Sequence, residues 1–383
     1  MSQAQETSEF FRSILDPNDQ TTTAAADDFA APPQPTPPAG TLAPAAPPVP
    51  FGPDLVSSMW RPPDAPPARR TWWRRGPSRK ELAEQARQQD LAALAAPFAV
   101  EKRVCVANTA GRAGKTTASI LLACGFGNWT GRGVVLVENG PTGSLRDRLE
   151  TVPPPAEIHT IDDLADALED LKTRTDAGKI IQTYFTVWQN QGRFSVLIGR
   201  QKSTHDDGTG RLVAKEPTLS QDETQAIAGL LGQVYPITVF DNGNNDIDDA
   251  QLGAMSISDV VVLPITWGGI EINGALRVLQ TLNDLGMGRL AHSAIVVVTQ
   301  PPGKTINEKN RQNATAWFRQ YGIQMVEIPP DPAMAERDKP LFWHSLAPAT
   351  HQAVLELCAT IAYRFRTLDP VKGWDRPALG RDR

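Results

Sequence analysis

The sequence predicts an α/β fold: a mostly parallel, twisted sheet with helices on both faces, preceded by a disordered Pro/Ala-rich arm. Three observations carry this. From about Val100 onward, apolar runs of strand length alternate with helical stretches, the order that builds a parallel sheet. The first run, Val104-Cys105-Val106-Ala107, breaks into a glycine-containing turn and then reads as a helix over Ala118 to Ala123. Between Thr21 and Pro67, by contrast, Pro, Ala, Thr and Asp dominate, and such a tract buries too little apolar surface to offset its ordering entropy.

The chain has 383 residues, of which 40% are hydrophobic and 21% charged, enough to bury a sizeable core. Length alone allows two or three domains, but the composition leaves one. We divide the chain into a disordered arm (1–67), a basic Trp/Arg segment with a linker helix (68–99), the folded domain (100–366) and a tail (367–383). A net charge of −5 argues against a protein that coats nucleic acid with its whole surface. Cys105, Cys124 and Cys358 form no C-x-x-C pair and no metal spacing, which fits a reduced, cytoplasmic setting. No apolar run reaches the roughly 18 residues of a transmembrane segment, and the N-terminus has no export signal, so a soluble, unexported protein is expected.

Taken in order, Glu9 to Leu15 is a short amphipathic island, read as a frayed helical turn or a docking peptide. Arg69 to Lys80 holds six positive charges and no negative one, interleaved with Trp72 and Trp73. That mixture suits an anionic surface: a membrane, a nucleic-acid backbone or an acidic protein groove. Its alternative is a tether whose tryptophans fold back on the domain. Ser78 and Glu81 are spaced as a capping box for a helix over Leu82 to Leu94.

The turn itself, Ala110-Gly111-Arg112-Ala113-Gly114-Lys115-Thr116-Thr117, has the residues a phosphate-binding loop requires. Small residues let backbone N–H groups approach an anion, the helix N-terminus adds positive potential, Lys115 reaches phosphate oxygens and Thr116 ligates Mg²⁺. Strands are expected over Gly133 to Glu138, Phe194 to Ile198, Ile237 to Phe240, Asp259 to Ile265 and Ala294 to Val298. Helices are expected over Ile161 to Leu171, Glu271 to Leu285 and Pro348 to Phe365. Gln201 to Pro217 reads as a surface loop in which His205, Asp206 and Asp207 are solvated rather than ligating. Asp241, delivered at the end of its strand, is placed to hold the water shell of the Mg²⁺.

The loop resembles the deviant Walker A, K-G-G-x-G-K-T-T, of the ParA/MinD family of P-loop NTPases. Ala110 stands where that family has its signature lysine, which crosses the dimer interface, and Arg112 replaces a glycine. The second strand of the family ends in D-x-D-P. Here it ends in Glu138-Asn139-Gly140-Pro141, with Gly140 in place of the Asp that helps place the attacking water. Asp241 and Gly243 match the family's Walker B region, and Asn244 and Asn245 do not extend the likeness. Thr299, followed by Gln300, occupies the adenine-reading position, usually Asn, and Pro329 lies in the Ile328-Pro329 turn near which the family's base sits.

The resemblance covers Arg103 to Arg366, about two thirds of the chain. It implies ATP and Mg²⁺ as cofactors, and nucleotide contacts from Gly111, Ala113, Gly114, Lys115, Thr116, Thr117, Gly243, Thr299 and Pro329. Thr116 and Asp241 would hold the metal, and Lys115, Asp241 and Arg112 would carry catalysis, with a nucleotide-dependent homodimer as the working state. The architecture is most similar to actinobacterial MinD-like proteins with a Pro/Ala-rich arm, found beside type VII secretion systems. The replacements at Ala110 and Gly140 favour ATP binding with weak or absent hydrolysis, in a positioning or regulatory factor for a larger machine. The alternative is an active partition ATPase that segregates plasmid or chromosomal DNA, which would need a basic face on the domain. Restoring Lys at 110 and Asp at 140, with Arg112→Gly to make room, is expected to raise hydrolysis.

Overall fold

The computed structural model describes residues 78–98, 100–140, 145–149, 159–184, 186–188, 193–199, 204–206, 212–214, 219–243, 247–303, 305–335 and 339–367. The chain divides into two units after Ser78, and Ser78 is the one described residue of the first. The arm, the Glu9 to Leu15 island, residues 69–77 of the Trp/Arg segment and residues 368–383 therefore lie outside the described residues.

The second unit opens with helix α1 (Arg79–Ala95), then β1 (Lys102–Val106), α2 (Lys115–Thr130), β2 (Val134–Glu138) and the short α3 (Leu145–Arg148). Next come α4 (Ile161–Asp166), α5 (Leu168–Thr173), α6 (Ala177–Ile181), β3 (Thr186–Trp188) and β4 (Phe194–Leu197). A separate pair, β5 (Thr204–Asp206) and β6 (Leu212–Ala214), precedes α7 (Gln221–Leu231), β7 (Ile237–Asp241), α8 (Asp249–Ile257) and β8 (Val260–Ile265). The chain continues through α9 (Gly269–Asp284), α10 (Gly288–His292), β9 (Ile295–Thr299), α11 (Glu308–Gln320) and β10 (Gln324–Ile328). It closes with α12 (Pro332–Ala335), one 3₁₀ turn (Trp343–Ser345) and α13 (Pro348–Thr367).

Eight strands form one sheet in the order β10-β9-β8-β1-β7-β2-β4-β3. Every pairing is parallel except that of β3, which runs antiparallel to β4 at the edge. The strands are apolar throughout because helices cover both faces, and the period of two divides their side chains. Val134, Leu136, Ile237 and Val239 join one core with α2 and α13, whereas Val135, Val137 and Phe240 join another with α4 to α8. From β1 the chain moves past the place of β7 to β2, and later it crosses back over β1 from β7 to β8. The carboxyl end of β1 thus opens at the point where the strand order reverses, where open α/β sheets bind ligands.

Several elements differ from the sequence expectations. Helix α2 begins at Lys115 and runs to Thr130, beyond the stretch read from Ala118 to Ala123. The helix expected over Ile161 to Leu171 is two, because the chain turns at Ala167 before Leu168 starts a new one. A surface loop is expected over Gln201 to Pro217, yet β5 and β6 pair antiparallel within it, Thr204 opposite Ala214. Their three-residue length leaves too little pattern for a strand to be read, since main-chain pairing alone makes it. His205 lies on β5 and its side chain is outside the described residues, as is Asp207.

Helix α1 docks on the domain through Leu91 and Leu94. Its last carbonyls, which lack helical partners, accept from Arg366 Nη2, which reaches both Ala93 O and Ala96 O. The guanidiniums of Arg132 and Arg366 both lie over the Phe98 ring, each 5.0 Å from its centroid. Among the described residues, no helix is long and apolar enough to cross a membrane.

Candidate functional site

The site grows from the loop between β1 and α2. Asn108 fastens this loop to α9: its Nδ2 donates to Pro264 O (2.7 Å) and Glu271 O (2.9 Å), and its Oδ1 accepts from Ala110 N (2.7 Å). Helix α9 comes this close because Gly274 has no side chain, since a Cβ there would lie 2.9 Å from Ala110 Cβ. Ala110 is therefore buried beneath α9 instead of facing outward.

Two residues of the loop have positive φ: Arg112 at 63° and Gly114 at 90°. For Gly114 this conformation is free, and a Cβ there would meet Thr299 Oγ1 at 2.5 Å, so both backbone and space require glycine. For Arg112 the same region costs about 1–2 kcal/mol, strain that proteins retain mostly where function needs it.

Gly114 opens α2, and Lys115 follows with its side chain folded back into the loop. Its Nζ donates to Asn108 O (2.9 Å) and Ala110 O (2.8 Å). Burial pulls the Lys115 ammonium down to about 8, and the neighbouring Asp241 opposes that shift. Asp241 stands at the end of β7, opposite Val106 of β1 and Glu138 of β2. Burial pushes its carboxyl up to about 6, against hydrogen bonds from the Thr116 and Ser119 hydroxyls and the charge of Lys115. Ser119 Oγ lies 3.0 Å from both Asp241 Oδ1 and Lys115 O.

This set fits a small hard cation. Mg²⁺ takes oxygen ligands from one or two protein groups and completes its shell with water and phosphate, and Thr116 and Asp241 supply two such oxygens side by side. Among the described residues no cluster of three or more His, Cys, Asp or Glu offers a rival metal site.

Beside Asp241, the carboxylate retained at Glu138 is committed to the backbone: Oε1 accepts from Leu145 N (2.8 Å) and Oε2 from Gly199 N (2.9 Å). Asn139 Nδ2 donates to Asn242 Oδ1 (3.0 Å) and Ala250 O (2.9 Å), tying the exits of β2 and β7 to α8. Gly140 then meets Gly243 backbone to backbone, and a Cβ on Gly140 would fall 2.6 Å from Gly243 Cα. Against the expectation that Asp at 140 simply restores the water-placing position, a side chain there requires the exits of β2 and β7 to move apart. Residues 141–144 and 244–246, which follow each exit, are outside the described residues.

The structure brings Gly114, Lys115, Thr116, Asp241 and Thr299 to one mouth, with Arg112 exposed at its rim. Pro329 directly follows Ile328, which pairs with Thr299 across β9 and β10. Sequence reasoning missed Ser119 and Asn108. The signal for Ser119 was its spacing, one helical turn after Lys115. Asn108 carried none, since its partners Pro264 and Glu271 are distant in sequence.

A family model described as the CobQ/CobB/MinD/ParA nucleotide binding domain matches residues 104–340. No curated protein sequence matches the chain. Among solved structures, a ParA family ATPase from Chlorobium tepidum is similar at 14% identity and a TM-score of 0.47, covering 70% of this chain and 99% of its own. The cell division ATPase MinD from Pyrococcus furiosus gives 15% identity and 0.48, with coverages of 70% and 99%. MinD from Pyrococcus horikoshii, complexed with Mg-ADP, gives 17% and 0.46, with coverages of 71% and 98%.

Proposed function

Given that the chain belongs to the CobQ/CobB/MinD/ParA nucleotide-binding domain family, we propose that it binds ATP with Mg²⁺ at residues 108–117 and hydrolyses it weakly or not at all. The observation that carries this reading is the convergence of Lys115, Thr116 and the buried Asp241 at the N-terminus of α2. Backbone N–H groups from Gly111 to Thr117 would hold the phosphates, and Lys115 would exchange its two loop carbonyls for phosphate oxygens. Thr116 and Asp241 would hold the metal, which when bound neutralises the developing phosphate charge. Gly243, Thr299 and Pro329 would line the rest of the mouth.

Weak turnover is supported by the two replaced groups. Ala110 places no ammonium at the loop, and Gly140 places no carboxylate beside Asp241; losing one such contact commonly costs about 10²–10³ in rate. Arg112, strained and exposed at the rim, is the candidate second cation. In this reading the protein is a nucleotide-dependent homodimer and a positioning factor for a larger machine. The likeness of its architecture to MinD-like proteins beside type VII secretion systems names one such machine. Arg69 to Lys80 would meet an acidic protein or another anionic surface, an attraction that salt screens.

The test is equilibrium binding of Mg-ATP to the full chain together with single-turnover phosphate release. Tight binding with negligible release is expected. Release at a rate ordinary for an ATPase of this family would sink the non-hydrolysing reading, and absence of binding would sink the assignment of the loop.

A further inference from the structure

Asn108 stands where β1 passes into the loop, and its side chain continues a hydrogen-bond ladder that the main chain leaves. Along the parallel pair of β1 and β8, Ala107 N donates to Val262 O at 3.0 Å. The even spacing of a parallel ladder would next join residue 109 to the carbonyl of Pro264. The chain has turned into the loop by that point, and Asn108 Nδ2 takes Pro264 O instead, at 2.7 Å.

Asparagine suits this place because one planar group carries two donors and an acceptor, and each is used here. Nδ2 also donates to Glu271 O at 2.9 Å, and Oδ1 accepts from Ala110 N at 2.7 Å. The residue is 3% exposed, so water does not compete for these bonds. Helix α9 leaves room for them through Gly274, where a Cβ would stand 2.1 Å from Asn108 Oδ1 and 2.8 Å from Ala110 N. The peptide between Thr109 and Ala110 is thereby fixed against β8 and α9. The carbonyls on either side of it, Asn108 O and Ala110 O, converge on Lys115 Nζ. Lysine has a flexible four-carbon stem, so its ammonium is held at the loop as firmly as those two carbonyls are placed.

Resting on the phosphate-loop reading, we propose that Asn108 is a positioning residue for nucleotide binding. By fixing the two carbonyls it keeps the Lys115 ammonium at the loop until phosphate oxygens replace them. Its side chain, enclosed by β8 and α9, acts through Lys115 and not on the ligand. The lysine stem then loses less freedom on binding than a stem that starts unplaced, and that difference appears as affinity.

The experiment is a double-mutant cycle on the full chain: Mg-ATP affinity by calorimetry for the parent, Asn108→Ala, Lys115→Ala and the two changes together. Asn108→Ala alone is expected to weaken binding about tenfold, the upper order of what ordering one long side chain contributes. In the Lys115→Ala background the same change is expected to alter affinity by less than about twofold, because no ammonium is left to place. A further tenfold loss in that background overturns the inference, and so does parent-like affinity of Asn108→Ala. A purely structural role gives the additive result, since a damaged loop binds less well whichever residue stands at 115. Circular dichroism on the same samples shows whether each variant folds. Where Asn108→Ala does not, the cycle is run with Asn108→Ser, which keeps an acceptor for Ala110 N and one donor in place of two, and the same outcomes decide. If the parent does not bind, or Lys115→Ala binds as well as the parent, the phosphate-loop reading falls and takes this inference with it. If both behave as expected and only the Asn108 result fails, the inference falls alone.

Discussion

Gly140 and Gly243 touch across the exits of β2 and β7, so that the smallest possible side chain on Gly140 would stand 2.6 Å from Gly243 Cα. The position to which the resemblance assigns a water-placing Asp is thus closed by main chain.

Gly140→Asp should therefore lower the melting temperature and leave phosphate release unimproved, because the side chain must force apart two strands that Asn139 binds together. Thermal unfolding and single-turnover release on the same preparation check this. A variant that is both as stable as the parent and a faster enzyme would show that the exits separate without cost.

Lys115→Ala should weaken Mg-ATP binding by about a hundredfold, the order of a charge-assisted contact, while the nucleotide-free protein stays folded. Among the described residues the ammonium donates to Asn108 O and Ala110 O of its own loop and lies near Asp241, so its removal takes no contact from the hydrophobic core. Titration calorimetry and circular dichroism separate the two effects.

Arg112→Gly should not destabilise the protein, unlike glycine replacements elsewhere. The φ of 63° costs arginine about 1–2 kcal/mol, which offsets the entropy that glycine loses. Nucleotide affinity should nevertheless fall about tenfold if the guanidinium assists the phosphates. Unchanged affinity would remove Arg112 as the second cation.

For the nucleotide-free protein, Asp241 predicts a particular pH dependence. Its folded pKa, about 6, is raised above the ordinary carboxylate value of 3.8, so the folded state holds its proton longer than the unfolded one. Its contribution is favourable below about pH 4 and is lost as pH rises to about 6, an effect of about 2–3 kcal/mol. Asp241→Asn should flatten that part of the stability curve, measured by denaturant unfolding between pH 4 and 7. Parallel curves for the two proteins would remove Asp241 as its source.

The sheet was legible in the sequence because its strands are buried on both faces and read as unbroken apolar runs, such as Val260 to Ile265. Short elements were not, since β3 and β5 last three residues each and owe their form to a partner strand. At the site, Gly114-Lys115-Thr116 and Asp241 were readable because chemistry dictates their types. The closeness of Gly140 to Gly243, and of Gly274 to Ala110, was not, because glycine names the absence of a side chain and not the neighbour that excludes one.

The three thiols supply a clock. Cys105, Cys124 and Cys358 are all buried, and burial raises the pKa of each, so none reacts while the protein is closed. Alkylation must wait for opening, and its rate counts how often each region opens. Cys105 accepts from Asn242 directly behind Asp241, whereas Cys358 lies in α13. A nucleotide that tightens the exit of β7 would slow the labelling of Cys105 more than that of Cys358, reporting occupancy of the site without any dye or radiolabel attached to it.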